Sequence, residues 1–190
     1  MEPRKIVIFC APSGSGKTTI TKRMMALFPQ LAFSISATSR APRGAEQDGV
    51  DYHFVSKDQF KQMIEADEFV EWEAFYDNYY GTLHREVDRL VAAGKVPVFD
   101  IDVKGAWRVK QMFGDHVLMV FVKAPTDVVI ARLKARATDS PEEIQKRIDR
   151  FPEELTYDSK ADVVIENIDL DVAVAEAKQA LETFLGTKAA

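Results

Sequence analysis

Cysteine is nearly absent from this chain, and so are long hydrophobic runs. The one cysteine, Cys10, cannot form a disulfide within the chain. It ends the apolar run Ile6-Val7-Ile8-Phe9-Cys10, where a buried, inert thiol is expected. No stretch approaches the ~18 apolar residues that suggest a bilayer span. The apolar run after Met1-Glu2-Pro3-Arg4-Lys5 is also too short for the core of a signal peptide. These absences lead us to expect a cytoplasmic protein without membrane contact. Histidine is scarce: His53, His84 and His116 are scattered without metal-ligand spacing, and surface or turn roles are expected for them. A basic excess is missing too. With 25 Lys and Arg against 30 Asp and Glu, the net charge is −5, which argues against a nucleic-acid binder. An anionic substrate would have to be held by locally placed arginines and lysines.

What remains is ordinary globular material. The 190 residues are 46% hydrophobic and 29% charged, which suits one core carrying small inserted subdomains. Short β-rich runs alternate with helical ones. Lys5–Cys10, Val96–Asp100, Val117–Val122 and Asp162–Ile165 are apolar runs of strand length. Runs apolar on both faces suit a parallel sheet covered on both sides. Helical patterns cover Lys17–Phe28, His84–Ala93, Val103–Phe113, Thr126–Ala135, Pro141–Tyr157 and Asp171–Leu185. The alternation predicts an α/β fold in which helices flank a parallel sheet. Two segments interrupt it. Residues 34–83 are expected to form an inserted, mostly β subdomain, leaving 1–33 and 84–190 as the core. Residues 125–157, with several arginines around the polar gap Thr138-Asp139-Ser140-Pro141, are expected to form a helical lid.

The first chemistry-bearing motif is Ala11-Pro12-Ser13-Gly14-Ser15-Gly16-Lys17-Thr18, followed by Thr19. It follows a buried strand and opens a helix, the context that a phosphate-binding P-loop requires. Gly14 and Gly16 allow tight turns that bring backbone N–H groups to phosphate oxygens. The helix start aims its own N–H groups and dipole at the same anion. Lys17 is expected to bridge the β- and γ-phosphates of ATP, and the Thr18 hydroxyl to ligate Mg²⁺. Ala11 replaces the usual first glycine, which requires that its φ stay below zero.

Further motifs follow in order. They are Phe33-Ser34-Ile35-Ser36-Ala37-Thr38-Ser39-Arg40-Ala41-Pro42-Arg43, then Gly49-Val50-Asp51-Tyr52-His53-Phe54-Val55, then Phe69-Val70-Glu71-Trp72. Asn78-Tyr79-Tyr80-Gly81-Thr82 and Phe99-Asp100-Ile101-Asp102 complete the set. In order and spacing the chain resembles the guanylate kinase family over essentially its whole length. The resemblance implies a P-loop kinase core, an inserted nucleoside-monophosphate-binding subdomain and a lid. It implies ATP-dependent phosphorylation of GMP, and of dGMP, by a monomer or homodimer. It places the GMP phosphate on Ser36, Arg40, Arg43, Tyr52 and Tyr80, and guanine on Glu71, Thr82 and Asp102. It implies lid arginines at Arg132 and Arg136, with Arg147 reaching in from the next helix, and Asn167 near the adenine of ATP. Lys17, Arg40, Arg136 and Arg147 are then the catalytic cations. The lid reads Ala135-Arg136-Ala137 where the family commonly has Gly-Arg-Gly.

The residue types suit that chemistry. A GMP phosphate is already a nucleophile, so the work is positioning and electrostatics. Arginine forks match phosphate oxygens in a way lysine cannot, although Glu46 and Asp48 offer Arg40 and Arg43 a salt-bridge role instead. Guanine presents N1–H and N2–H₂ donors side by side, which ionised carboxylates at Glu71 and Asp102 can accept. Asp100 either orients Mg²⁺ through water or pairs with Lys17 or an arginine. The aromatic set Phe69, Trp72, Phe75 and Tyr76 is expected in the core of the insert. Two other readings stand beside the enzyme: a guanylate-kinase-like interaction module without catalysis, and a P-loop kinase acting on another small phosphate.

Overall fold

The computed structural model describes residues 5–75, 77–135 and 141–189. In chain order the first elements are β1 (Ile6–Cys10), α1 (Lys17–Leu27), β2 (Leu31–Phe33), β3 (Ala37–Thr38), β4 (His53–Phe54) and α2 (Lys57–Glu65). Next come β5 (Phe69–Phe75), β6 (Asn78–Leu83), α3 (His84–Ala92), β7 (Val96–Asp100) and α4 (Val103–Phe113). The chain continues with β8 (Val117–Lys123), α5 (Thr126–Ala135), α6 (Pro141–Leu155), β9 (Val163–Glu166) and α7 (Leu170–Leu185). These form two compact units. Of the described residues, one unit comprises Lys5–Pro29 together with those from Asp100 onward, and the other those within Gln30–Phe99. No helix among the described residues is long and apolar enough to cross a membrane.

In the first unit, β1, β8 and β9 run parallel with β8 in the middle. Ile8 lies opposite Met119, and Phe121 opposite Val164. Every residue of β1 is buried, as is β8 up to Val122, as expected for strands covered on both faces. The helices supply the cover through one apolar stripe each: Val103, Ala106 and Val109 on α4, and Ala173, Ala177 and Leu181 on α7. Cys10 has no exposed surface, and burial pushes its thiol up to about 12. It is inert, as its run implies. Helix ends follow local chemistry. Asp102 caps α4 by accepting from Gly105 N at 2.7 Å. Asp169 caps α7. Gly186 ends α7 in the left-handed conformation that glycine adopts without strain. A smaller cluster of Ala124, Val129, Leu133 and Phe151 joins α5 to α6.

In the second unit, β2 pairs with β7 in parallel, Leu31 opposite Val96. A separate four-stranded sheet has the order β4-β3-β6-β5. Its β3–β4 pair is parallel, and its other two pairs are antiparallel. The expected insert 34–83 falls inside this unit. It is not only β: α2 crosses it, started by a capping box in which Ser56 and Gln59 satisfy each other's backbone N–H groups. Phe60 of α2 stacks on Phe69 at 4.4 Å between centroids, and with Ala37 and Leu83 they make the core of the insert. Trp72 is not part of that core. At 39% exposed it lies on the outer strand β5, edge-on to Tyr79. Tyr76 lies outside the described residues. His53 also departs from the expected surface role. It sits in β4 with Nε2 3.3 Å from Glu86, a buried carboxylate that Arg89 also holds.

Candidate active site

The loop between β1 and α1 has the form of an anion cradle. Gly14 and Gly16 take φ of 90° and 91°, the left-handed region in which side chains are strained. Ser15 N donates to Pro12 O at 3.2 Å, closing the turn. Ala11 keeps φ below zero, since Asp67 is the non-glycine residue with positive φ among the described residues. Helix α1 begins without a capping side chain and without an acidic residue in its first turn. Its N-terminal N–H groups and positive dipole end therefore face the loop unopposed, unlike those of α2, α4 and α7, which side chains cap.

Lys17 opens α1. Its ammonium pairs with Asp100, at the end of β7, and donates to Ile101 O at 3.2 Å. Of the alternatives weighed for Asp100, the pairing with Lys17 is present in this structure. Thr18 and Thr19 are exposed on the first turn. The Thr18 hydroxyl and the Asp100 carboxylate are hard oxygen donors. They suit a small divalent cation that takes one or two protein oxygens and fills its remaining positions from phosphates and water.

Three residues distant in sequence contact the loop or one another beside it. Asn167, just past β9, donates from Nδ2 to Ser15 O at 2.7 Å. Arg132 of α5 donates to Ser15 O at 3.4 Å and to Asn167 O at 3.2 Å. Arg147 of α6 donates to Ser13 Oγ at 2.8 Å. A Cβ on Gly16 would collide with the Asn167 amide, so glycine is demanded there by space as well as by φ. Asn167 Oδ1 and Ser15 Oγ are buried with no hydrogen-bond partner among the described residues. Glu154 joins this group without a signal in the sequence. It is a buried carboxylate on α6 that accepts from the Ser13 backbone and lies near Arg150. Burial raises its pKa above the usual carboxylate value, against the pull of Arg150 and the Ser13 N–H. Arg136 lies outside the described residues.

The expected acceptor residues lie in the second unit, apart from Asp102. The Arg40 side chain is 9% exposed, with its guanidinium over the rings of Tyr52 at 5.0 Å and Phe54 at 5.7 Å. Tyr52 meets Tyr80 edge-on at 6.3 Å. Glu46 grips Arg40 with both carboxylate oxygens, at 2.6 and 2.7 Å, and also accepts from Arg43 N at 2.7 Å. The hydrogen bond from Arg40, followed by that from the Arg43 backbone, lowers the Glu46 carboxyl to about 2. The salt-bridge role weighed for Arg40 is therefore present, and Asp48 turns instead to Phe54 N at 2.9 Å. The Arg43 side chain is exposed, and Ser36 accepts from His53 N through its backbone carbonyl. Beyond them, Glu71 is 7% exposed and accepts from Thr82 Oγ1 at 2.7 Å and Thr82 N at 3.1 Å. A β-bulge between Phe69 and Glu71 sets this register and re-aims the carboxylate onto Thr82. Asp102 belongs to the first unit, where one of its oxygens is spent on capping α4.

A family model described as guanylate kinase matches residues 3–184. The chain belongs to the guanylate kinase family. A guanylate kinase of Bacteroides fragilis is 47% identical over 184 residues, covering 96% of this chain and 90% of its own. A guanylate kinase of Salinibacter ruber is 45% identical over 189 residues, covering 98% and 100%. The crystal structure of guanylate kinase from Anaplasma phagocytophilum superposes with a TM-score of 0.74 at 24% identity, over 96% of this chain and 87% of that one. That likeness supports the α/β P-loop kinase fold.

Proposed function

We propose that Lys17, Arg132, Arg147, Arg40 and Arg43 carry the phosphorylation of GMP by ATP that guanylate kinase membership gives this chain. The observation that carries the reading is the glycine loop: Lys17 stands at the uncapped start of α1, where backbone donors converge. ATP binds with its β- and γ-phosphates in that loop, from Ala11 to Thr19. A GMP phosphate oxygen attacks the γ-phosphorus, the bond from that phosphorus to the bridging oxygen breaks, and ADP leaves with the bridging oxygen. The chain supplies no base, because the acceptor is already an anion. Lys17 and Arg147 neutralise charge on the transferred group, and Arg136 belongs with them. Arg132 and Asn167 keep the loop in shape beside the adenosine end of ATP.

The acceptor phosphate lies on Arg40, Arg43, Tyr52, Tyr80 and Ser36. Guanine donates to Glu71 and Asp102, with Thr82 as their companion. Adenine would set an acceptor against the carboxylates where guanine presents a donor, so it should bind poorly. Mg²⁺ suits the Thr18 hydroxyl, with Asp100 acting through water. When bound, it would supply charge neutralisation on the phosphates.

Turnover of MgATP with a panel of acceptors tests the reading. GMP is expected to be the best acceptor, dGMP next, with AMP and small sugar phosphates poor. In Glu71→Gln, KM for GMP should rise and discrimination against AMP weaken, a loss of ~1.5–3 kcal/mol for a hydrogen bond to a charged partner. An unchanged kcat/KM for GMP in that variant would remove Glu71 from the base site. No ADP formation with any acceptor would favour the interaction-module reading.

A further inference from the structure

We propose that Glu46 is a positioning residue for the acceptor phosphate: it fixes one edge of the Arg40 guanidinium so that the other edge stays set for that phosphate. The proposal rests on the assignment of Arg40 to the phosphate. A guanidinium carries five N–H donors in one plane. Nη1 gives one to Glu46 Oε2 at 2.6 Å and one to Ala41 O at 2.9 Å, and Nη2 gives one to Glu46 Oε1 at 2.7 Å. The donors left over are the Nε–H and the second hydrogen of Nη2. In a planar guanidinium these lie side by side and form a second fork, the geometry that grips two phosphate oxygens. The Tyr52 and Phe54 rings flank the same group, so its plane and in-plane rotation are both set before any ligand arrives.

Glu46 organises more than one arginine. Its Oε2 also accepts from Arg43 N at 2.7 Å, while Glu46 N donates to Arg43 O at 3.1 Å. The stretch from Arg40 to Glu46 is thereby closed on itself, with both phosphate-binding arginines rooted in it. An arginine loses much rotamer freedom on binding, and one already immobilised loses less then. A carboxylate beside a phosphate site also repels the ligand, an effect of opposite sign. Positioning outweighs repulsion here because Glu46 is spent on the far edge of Arg40 and is partly solvent-screened, at 24% exposed.

The test is steady-state kinetics on the wild type, E46A, E46Q, E46D, R40A and R40A/E46A, with thermal melts alongside. E46A should raise KM for GMP by about tenfold, equivalent to ~1.4 kcal/mol. The expected loss in kcat is smaller, KM for ATP should be unchanged, and E46D should restore part of the GMP affinity. In the R40A background the same E46A change should add less than about twofold, because residues acting through one another are non-additive. A role confined to holding the loop together would lower the melting temperature without this split or this dependence on Arg40. If E46A does not fold, E46Q carries the measurement, since it keeps volume and one acceptor oxygen. An unchanged or lower GMP KM in both E46A and E46Q, beside an impaired R40A, overturns the proposal alone. So does an E46A effect that adds in full to R40A. An unimpaired R40A overturns the phosphate assignment of Arg40 and the proposal with it.

Discussion

On the proposed reading, Lys17 meets the transferred phosphoryl group, where one added charge acts strongly. Its ammonium is held by Asp100 and Ile101 O while the α1 N-terminus stays uncapped. Transfer of the γ-phosphoryl group develops charge at that position, so Lys17→Ala should cost ~3–4 kcal/mol in kcat, on the scale of losing an oxyanion donor. Circular dichroism should stay native, because the ammonium packs no core. A near-normal kcat with native dichroism would refute the role. Glu154 gives a prediction of a different kind. Burial foremost, then Asp102 and Glu153, raises its pKa above 4.5, while Arg150 and the Ser13 N–H only partly oppose this. A folded carboxyl with a raised pKa binds its proton more tightly than the unfolded chain does. Its contribution to stability is therefore complete below pH 4.5 and is lost as pH rises through the raised folded value. Urea titrations of the wild type and Glu154→Gln should show the wild type losing ground to the variant as pH climbs from 4.5. A difference that is flat in pH would mean that Glu154 is not buried as described. Glu46 and Glu86, whose pKa values are lowered, act below that window and cancel in the comparison.

Elements whose cause is local were open to reading in the sequence. The β1–loop–α1 unit could be placed because β1 is apolar on both faces and the glycines and Lys17 follow at once. Helices α4 and α5 match their expected bounds, and α1, α3 and α7 fall within a residue of theirs. Helix α6 ends at Leu155, short of the expected Tyr157. Helix α2 was not foreseen, although Ser56-Lys57-Asp58-Gln59 spells a capping box and Phe60, Met63 and Ile64 follow at helical spacing. The alternating stretches around it masked that short period. We expect Ser56→Ala to destabilise the second unit by ~1 kcal/mol through loss of the cap, seen as a lower urea midpoint. An unchanged midpoint would show that Phe60 packing alone sustains α2. In the site, the left-handed glycines Gly14 and Gly16 follow from loop chemistry and could be read early. The choice of Glu46 over Asp48 as the partner of Arg40 could not, since both lie within reach in sequence. The contacts of Glu154 and Arg147 with Ser13 depend on how α6 packs, which no periodicity encodes.

At the scale of the whole chain, the groups assigned to the two nucleotides are divided between two compact units. Lys17, Arg132, Arg147 and Asn167 belong to the first unit, and Arg40, Arg43, Tyr52, Glu71 and Thr82 to the second. Phosphoryl transfer needs donor and acceptor oxygens in line on one phosphorus, with reacting atoms ~3–3.5 Å apart. On the proposed reading, an ATP analogue alone engages first-unit groups, GMP alone engages second-unit groups together with Asp102 of the first, and a dinucleotide linking adenosine to guanosine through phosphates engages both sets. Hydrogen exchange separates these cases residue by residue. A non-hydrolysable ATP analogue should protect the amides from Gly14 to Ile20 and leave β5 and β6 unchanged. GMP should protect the Arg40–Glu46 turn and the Glu71–Thr82 pair and leave the glycine loop unchanged. The linked dinucleotide should protect both sets, by more than the sum of the separate effects, because an effective concentration replaces a second free encounter. Protection from the dinucleotide equal to that from the ATP analogue alone would mean that the second unit does not hold the acceptor. The assignment of Arg40, Glu71 and Thr82 to GMP would then fail as a set.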